Sequence, residues 1–244
     1  MSGLSTVTNA LFVAGGVSKN GSLRNIEIKR GYVESDRLGG IDPYSASKAS
    51  AELALKSYIN TFFKNKKKNI VFGIARAGNV IGGGDWADDR LIPDCMKSWS
   101  RKEMAKIRNP KSTRPWQHVI EAICGYLIFA QKLKINSKLN GEVFNFGPDN
   151  KNNFSVINLI KELEKNNLKL KWKIVEEKNN IESNLLKINS NKAKNLLRWK
   201  CILSFKETIN YLAEWYKEYY NKKNMYSFTI NQIYKYEKKL LKYF

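Results

Sequence analysis

The sequence predicts an α/β protein with a parallel sheet, and two observations support this prediction. A helix signal over residues 43–64 is followed by the apolar run 69–76, which has the length and composition of a buried parallel strand. The same order, a helix and then a strand that ends in a turn, recurs at 119–133 and 142–148. Helices that alternate with strands in this way are typical of parallel sheets with right-handed crossovers.

The elements follow from local signals. In the first helix, six residues are available for the buried side: Leu53, Leu55, Tyr58, Ile59, Phe62 and Phe63. Residues 90–93 open the next helix, and the helix over 119–133 is apolar nearly all round, which predicts that it is buried. Ser155 can cap a helix over 156–165, and residues 170–175 alternate like a strand.

Two helices are predicted at the C-terminal end of the sequence. Ser204 and Glu207 form a capping-box signal for a helix that runs to about residue 220. Residues 228–244 form a basic amphipathic helix. Four apolar residues lie near one side of it, namely Ile230, Ile233, Leu240 and Leu241. We expect this helix to pack on the domain, although such a helix can also bind a partner or a membrane surface.

Composition limits the possible functions. The 244 residues carry a net charge of +21, but the lysines are spread through the predicted helices, so we expect no nucleic-acid partner; a basic surface would also attract a nucleotide diphosphate. The three cysteines, Cys95, Cys124 and Cys201, fit no metal-ligand spacing, which predicts no metal site and a cytoplasmic location. The longest apolar stretch, 119–130, is too short to span a bilayer, and no signal peptide is expected.

The stretch with the strongest functional signal is residues 42–48. Asp42 is a good N-cap and Pro43 suits the first position of a helix, so a helix begins here. Residues four apart stack on one helix face, which brings the Tyr44 phenol beside the Lys48 ammonium. A cation beside a phenol favours the phenolate, which can take a proton from a hydroxyl while hydride leaves the same carbon. The pair therefore indicates dehydrogenase chemistry with a nicotinamide cofactor.

Four segments, which occur in this order, extend that pattern: Gly39–Lys48, Ala75–Trp86, Arg90–Asp94 and Arg114–Val119. Together they resemble the extended short-chain dehydrogenase/reductase superfamily, also called the NAD-dependent epimerase/dehydratase family. The Gly-Gly-Gly-Asp-Trp run and the Arg-Pro-Trp-Gln-His segment are most similar to its CDP-glucose 4,6-dehydratase branch. The resemblance covers about residues 31–220.

The resemblance implies a partial Rossmann-like parallel sheet, with the N-terminal strands missing, and a smaller α/β substrate-binding lobe. We expect an atypical N-terminal segment at 1–30, a catalytic part at 31–150, the lobe at 151–227 and the basic terminal helix at 228–244. It also implies a lyase reaction of nucleotide-sugar metabolism, in which CDP-glucose becomes CDP-4-keto-6-deoxyglucose for the deoxysugars of surface polysaccharides and NAD acts as a catalytic hydride carrier.

The family's site residues transfer to eight positions of this sequence. Tyr44 and Lys48 would be catalytic, and three residues would bind the cofactor NAD: Tyr44, Lys48 and Ala77. Five residues would bind the sugar nucleotide, with the arginines on the phosphates: Asn79, Arg90, Leu91, Arg114 and Asn145. Trp116 and the single histidine, His118, are interpreted as packing or capping residues rather than as recognition or catalytic groups.

Residues 1–30 depart from the family pattern. They lack the glycine-rich fingerprint of a dinucleotide site, and Val17–Asn20, the counterpart of the family's Ser/Thr-Asp-Lys motif, lacks the aspartate. One hypothesis is that Met1 is an internal or post-frameshift start. The alternatives are an inactive truncated relative or pseudoenzyme that binds sugar nucleotides without turnover, and an epimerase of the same family. We expect a homo-oligomer or a complementing chain, because a sheet without its first strands exposes an edge.

Overall fold

The computed structural model describes residues 30–39, 42–63, 70–149, 153–175 and 186–243. The α-helices are α1 (Pro43–Tyr58), α2 (Leu91–Ser100), α3 (Val119–Ile135), α4 (Val156–Lys165), α5 (Phe205–Tyr220) and α6 (Met225–Leu240). The strands are β1 (Ile74–Ala77), β2 (Asn79–Ile81), β3 (Met104–Ile107), β4 (Thr113–Arg114), β5 (Trp116–His118), β6 (Val143–Phe146), β7 (Phe154–Ser155) and β8 (Lys171–Ile174). Short π-helical turns cover Ile59–Phe63 and Ala193–Leu197, and a 3₁₀ turn covers Ser137–Leu139.

The strands pair mainly in parallel, which confirms the predicted class. β1 pairs with β6, β2 with β5 and β3 with β8, all in parallel, whereas β4 and β7 are antiparallel. Between the first two pairs, the Gly78 amide donates to the Phe146 carbonyl at 3.1 Å and the Gln117 side-chain amide donates to the same oxygen at 2.8 Å. The end of the β1–β6 pair therefore adjoins the beginning of the β2–β5 pair.

Two large apolar clusters form the core. The first lies among α2, α4, α5 and the strands near them, with fully buried side chains that include Met96, Leu159, Leu163, Leu212 and Tyr216. The second lies between α3, β6 and the chain near residue 199 and includes Phe129, Phe144, Phe146, Leu197 and Trp199. A third, small cluster of Ile202, Leu203 and Tyr236 packs α6 onto the domain, which agrees with the predicted packing role of the terminal helix.

The capping predictions agree with the observed helix starts. The Ser155 side chain accepts from the Asn158 amide, and the Asn158 side chain accepts from Ser155 in return, which makes a capping box. The Ser204–Glu207 capping box has the same reciprocal geometry. In both cases orphan backbone N–H groups of the first turn find an acceptor, so the start of the helix is fixed by the sequence.

Two burial predictions are wrong. In α1 and the turn after it, Ile59 is buried, but exposed apolar side chains remain at Leu53, Leu55, Tyr58 and Phe62. In α3, Ile123 and Leu127 are exposed, because only one side of the helix packs on β6 and the core. Of the four apolar residues near one side of α6, only Leu241 is exposed and Leu240 packs against the third cluster, but the residues that are fully buried are Gln232 and Tyr236.

Two element boundaries also differ from the predictions. The apolar run at 69–76 contributes a strand only from Ile74, and its exposed first residues, Ile70 and Val71, precede that strand. α6 begins at Met225, three residues earlier than predicted, because the Asn224 side chain accepts from the Ser227 amide and supplies the N-cap. The predictions for residues 1–29, including the counterpart motif at Val17–Asn20, lie outside the described residues.

Candidate functional site

The predicted Tyr44 and Lys48 pair lies on the first turns of α1. Asp42 caps the helix, since its carboxylate accepts from the Ser45 amide at 2.9 Å and from the Ser45 hydroxyl at 2.6 Å. The Lys48 Nζ atom lies 5.4 Å from the centroid of the Tyr44 ring, so the two side chains share a face as the spacing predicts. The Tyr44 side chain is 71% exposed, and within the described ranges neither side chain of the pair has a hydrogen bond or ion pair.

A buried ion pair fixes α1 against the sheet. The Arg76 guanidinium, on β1, donates from Nε to Glu52 Oε2 at 2.7 Å and from Nη2 to Glu52 Oε1 at 2.5 Å. Lys56 also lies 2.7 Å from the Glu52 carboxylate, and Glu52 is only 9% exposed. Burial acts to raise the Glu52 pKa, but the hydrogen bonds from Arg76 and Lys56 outweigh it and hold the pKa below its usual value. This contact sets the position of Tyr44 and Lys48 relative to Ala77, which ends β1.

Three of the predicted substrate residues flank one loop. Asn79 begins β2 and is paired in register with Trp116 of β5. The loop then runs through the glycines 82–84 to α2, where Arg90 is the N-cap residue and Leu91 begins the helix against the first core cluster. The Arg90 side chain is 64% exposed and its Nη1 donates to Asp85 Oδ2 at 3.2 Å.

The other two predicted substrate residues are buried. Arg114, on β4, is 6% exposed, and its Nη1 donates to the Thr113 carbonyl at 2.9 Å. Asn145, on β6, is 1% exposed, and its side-chain amide donates to the carbonyls of Tyr32 and Asn189 at 3.0 and 3.3 Å. Asn145 Oδ1 is buried and has no hydrogen-bond partner in the described structure. Both residues therefore have structural contacts, and their role in substrate binding stays a prediction.

The structure brings the predicted residues together in groups. Tyr44 and Lys48 form one pair on α1. Asn145 of β6 is paired in register with Arg76 of β1, which directly precedes Ala77 in the sequence. Among the described residues no hydrogen bond connects the Tyr44 and Lys48 pair to Asn79 or Arg90.

Two residues that the sequence analysis overlooked help to hold this arrangement. Glu52 lies one turn beyond Lys48 on α1, at a spacing that could have identified it. Gln117 lies in the Arg-Pro-Trp-Gln-His segment, and its amide contacts the end of β6.

His118 and Trp116 have the packing roles that the sequence suggested. His118 Nδ1 accepts from the Ile120 amide at 3.3 Å, so the histidine caps α3. Its Nε2 atom is buried without a partner in the described structure, and burial lowers the pKa of the imidazole to about 4. Trp116 is 7% exposed, and its indole donates to the Phe154 carbonyl at 2.9 Å.

The described residues offer neither a metal site nor a membrane span. They contain no cluster of three or more histidine, cysteine, aspartate or glutamate side chains that could hold a metal ion. None of the helices that the structure describes is long and apolar enough to cross a membrane.

The mixed α/β fold with parallel strands is the fold of solved sugar-nucleotide dehydratases and epimerases. A family model described as GDP-mannose 4,6 dehydratase matches residues 21–212. The chain belongs to this family, which confirms the resemblance.

Individual relatives agree with this assignment. The CDP-glucose 4,6-dehydratase of Salmonella typhimurium is 37% identical over 199 residues, which are 80% of this chain and 55% of that protein. The UDP-glucose 4-epimerase of Mycoplasma pneumoniae is 24% identical over 221 residues, which are 87% of this chain and 64% of that protein. The chain thus spans 55% and 64% of the length of these two relatives.

Solved structures show the same fold. The dTDP-glucose 4,6-dehydratase of Bacillus anthracis, in complex with NAD, matches with a TM-score of 0.64 at 21% identity, over 83% of this chain and 58% of that one. The UDP-glucuronic acid 4-epimerase of Bacillus cereus, in complex with UDP-glucuronic acid and NAD, matches with a TM-score of 0.65 at 22% identity, over 77% of this chain and 56% of that one.

Proposed function

We propose that this chain carries the proton-transfer and substrate-binding part of a sugar-nucleotide 4,6-dehydratase that converts CDP-glucose to CDP-4-keto-6-deoxyglucose. The observation that carries the proposal is the exposed, unpaired Tyr44 and Lys48 pair on a helix fixed by the Glu52–Arg76 contact. The nucleotide is suggested by the 37% identity to a CDP-glucose 4,6-dehydratase.

The residues of α1 fit the nicotinamide end of NAD. The exposed Tyr44 hydroxyl and Lys48 ammonium have no competing partner in the described structure, so both are available to the nicotinamide ribose. Ala77, at the end of β1, would complete the contact, because ligands of open α/β sheets bind at the carboxyl ends of strands. NAD held there would supply the reversible hydride acceptor that a 4,6-dehydration needs.

The residues of this chain would handle the proton. The Tyr44 oxygen would take the proton of the C4 hydroxyl, and the Lys48 ammonium, which lies beside the Tyr44 ring, would hold the nicotinamide ribose. Because the pair is anchored through α1, its distance from the bound sugar depends on the Glu52–Arg76 contact.

The sugar nucleotide would lie along the loop between β2 and α2. Asn79 and Leu91 would contact the sugar and the nucleoside, and Arg90 and Arg114 would hold the diphosphate, for which a guanidinium is suited by its fork geometry. Asn145 would contribute its unpartnered Oδ1 as an acceptor. The net charge of +21 would attract this anionic substrate.

The test is binding and turnover in a matched set of variants. Calorimetry with NAD and with CDP-glucose would compare the unaltered chain with Lys48→Ala and with Lys235→Ala, an exposed lysine of α6 that serves as control. We expect Lys48→Ala to lose NAD affinity and Lys235→Ala to keep it. We expect Tyr44→Phe to keep its affinity for both ligands but to lose turnover.

Mass spectrometry of the product separates the alternatives. Loss of one water from CDP-glucose would support dehydration, an isomer of unchanged mass that chromatography separates from CDP-glucose would indicate an epimerase, and binding without any product would indicate an inactive relative. Failure of the chain to bind either ligand would overturn the proposal.

We also propose a cytoplasmic protein that acts as a homo-oligomer or with a complementing chain. The exposed apolar side chains of α1 and the turn after it favour association, because a second chain packed on them would remove apolar surface from water. Light scattering after gel filtration tests this. A monomer at micromolar concentration and low salt would contradict the homo-oligomer.

A further inference from the structure

The loop between β2 and α2 is held from one side by aromatic residues of α5. Trp86, at the end of the glycine run, has its ring within 4.7–6.5 Å, centroid to centroid, of four rings on that helix: Trp215, Tyr216, Tyr219 and Tyr220. These four positions lie on one helix face because they follow the spacing i, i+1, i+4 and i+5. The loop therefore packs through Trp86 on an aromatic face of α5.

Trp215 explains why residue 83 is glycine. A Cβ atom added at Gly83 would lie 2.0 Å from Cδ2 and 2.1 Å from Cγ of the indole, so the backbone of the loop rests directly on the ring. The indole has little freedom to retreat, since its Nε1 donates to Thr229 Oγ1 of α6 at 3.0 Å and its ring stacks on Tyr219. The loop is therefore seated on a fixed surface.

Tyr216 continues this contact toward Arg90. Its hydroxyl donates to the Asp85 carbonyl at 2.7 Å, and the Tyr216 side chain is fully buried. The Asp85 carboxylate accepts from the Ala87 amide at 3.1 Å through one oxygen and from Arg90 Nη1 at 3.2 Å through the other. Asp85 therefore links α5 to the arginine: its backbone carbonyl accepts from Tyr216, and its side chain accepts from Arg90.

We propose that Tyr216, supported by Trp215, is a positioning residue for the sugar-nucleotide site, because it sets the orientation of Arg90 through Asp85. This inference rests on the proposed function. Asp85 accepts from Nη1, and Nε and Nη2 of Arg90 have no hydrogen-bond partner among the described residues, so both can donate to an anion. A long, exposed arginine that is already oriented loses less side-chain entropy when it binds a phosphate, which strengthens binding.

The test is a double-mutant cycle on CDP-glucose affinity. Tyr216→Phe keeps the ring and removes the hydroxyl, and we expect it to weaken binding about threefold to tenfold, because Arg90 then loses more side-chain entropy when it binds. In an Arg90→Ala background the same change should weaken binding less than about twofold, because the oriented group is gone. Tyr219→Phe is the matched control, since its ring belongs to the same cluster and its hydroxyl has no hydrogen bond within the described residues.

A purely structural role for Tyr216 gives a different result. Tyr216→Phe would then lower the melting temperature but leave the affinity of the folded protein unchanged, or its effect would be equally large in the Arg90→Ala background. Either outcome overturns the inference and leaves the proposed function intact. If the unaltered chain binds no CDP-glucose, the proposed function fails and the inference falls with it.

Hydrogen exchange provides a readout that needs no ligand. We expect the amides of residues 83–90 to exchange faster in Tyr216→Phe than in Tyr219→Phe, because the Asp85 carbonyl loses its partner. Equal exchange of this segment in the two variants would also overturn the inference.

Discussion

Replacement of Arg76 by leucine tests whether the buried ion pair fixes helix α1 against β1. The change removes both hydrogen bonds to Glu52 and leaves a carboxylate that is 9% exposed. Removal of one partner from a fully buried pair costs about 3–5 kcal/mol. The Arg76 side chain is 21% exposed and Lys56 still contacts Glu52, so we expect the smaller value of about 2–3 kcal/mol in the free energy of unfolding.

The assay is urea unfolding followed by circular dichroism, with Arg90→Leu as the matched control. Arg90 also pairs with an aspartate, but its side chain is 64% exposed, so its loss should cost less than about 0.5 kcal/mol. The double variant Glu52→Leu with Arg76→Leu should recover part of the loss, since no unpaired charge remains buried. Equal stabilities of Arg76→Leu and Arg90→Leu would refute the reasoning.

The pH dependence of the same pair supplies a second check. The folded-state pKa of Glu52 is lowered, so its ionisation stabilises the fold above the unfolded value of 4.5 and this contribution is lost as the pH falls through the folded pKa. The stability difference between the unaltered chain and Glu52→Gln should therefore shrink below pH 4.5. A difference that stays constant from pH 6 to pH 3 would show that the charge of Glu52 does not contribute.

Three further predictions concern Gly83, His118 and two of the cysteines. Gly83→Ala should destabilise the fold by about 1–3 kcal/mol through its clash with Trp215, measured by thermal unfolding; an unchanged melting temperature would contradict the clash. His118, the single histidine, should titrate near pH 4 by NMR, and because its folded pKa lies below 6.5, stability should fall from pH 6.5 to pH 4; a midpoint near 6.5 would contradict its burial. Cys95, whose pKa burial raises to about 12, and Cys201, whose pKa is also raised by burial, should resist a thiol reagent at pH 8 until urea is added; rapid labelling of the folded chain would contradict this.

Local signals predicted the elements well because they act within one turn or one strand. Asp42 fixed the start of α1, and the Ser204–Glu207 box fixed the start of α5, each through a side chain that accepts an orphan amide. The spacing of Tyr44 and Lys48 likewise predicted their shared face. These features need no knowledge of the rest of the fold.

Burial was harder to predict because it depends on what each face meets. The apolar residues of α1 could not show by themselves that the helix contacts β1 through Glu52. In α6, the apolar side that the sequence indicates does not include the two buried residues, Gln232 and Tyr236. A buried glutamate or glutamine requires a specific partner elsewhere in the chain. Arg76 is 24 residues from Glu52, and the Gln232 amide donates to the Tyr211 carbonyl, 21 residues away. Hydrophobic periodicity within one helix cannot predict such contacts, because the partner lies on another element.

Two buried glutamates illustrate how the site depends on distant elements. Glu52 fixes α1 to β1, and Glu121 on α3 accepts from the amides of Ile202 and Leu203 at 2.8 and 2.6 Å and from the Tyr236 hydroxyl at 2.8 Å. Burial raises the pKa of Glu121. Burial of a carboxyl group is costly unless it is hydrogen-bonded, so these three bonds stabilise the contact between α3 and the chain around it. Because α6 supplies one of those bonds and also holds Trp215 beneath the loop between β2 and α2, truncation of α6 should speed hydrogen exchange in that loop as well as in the core.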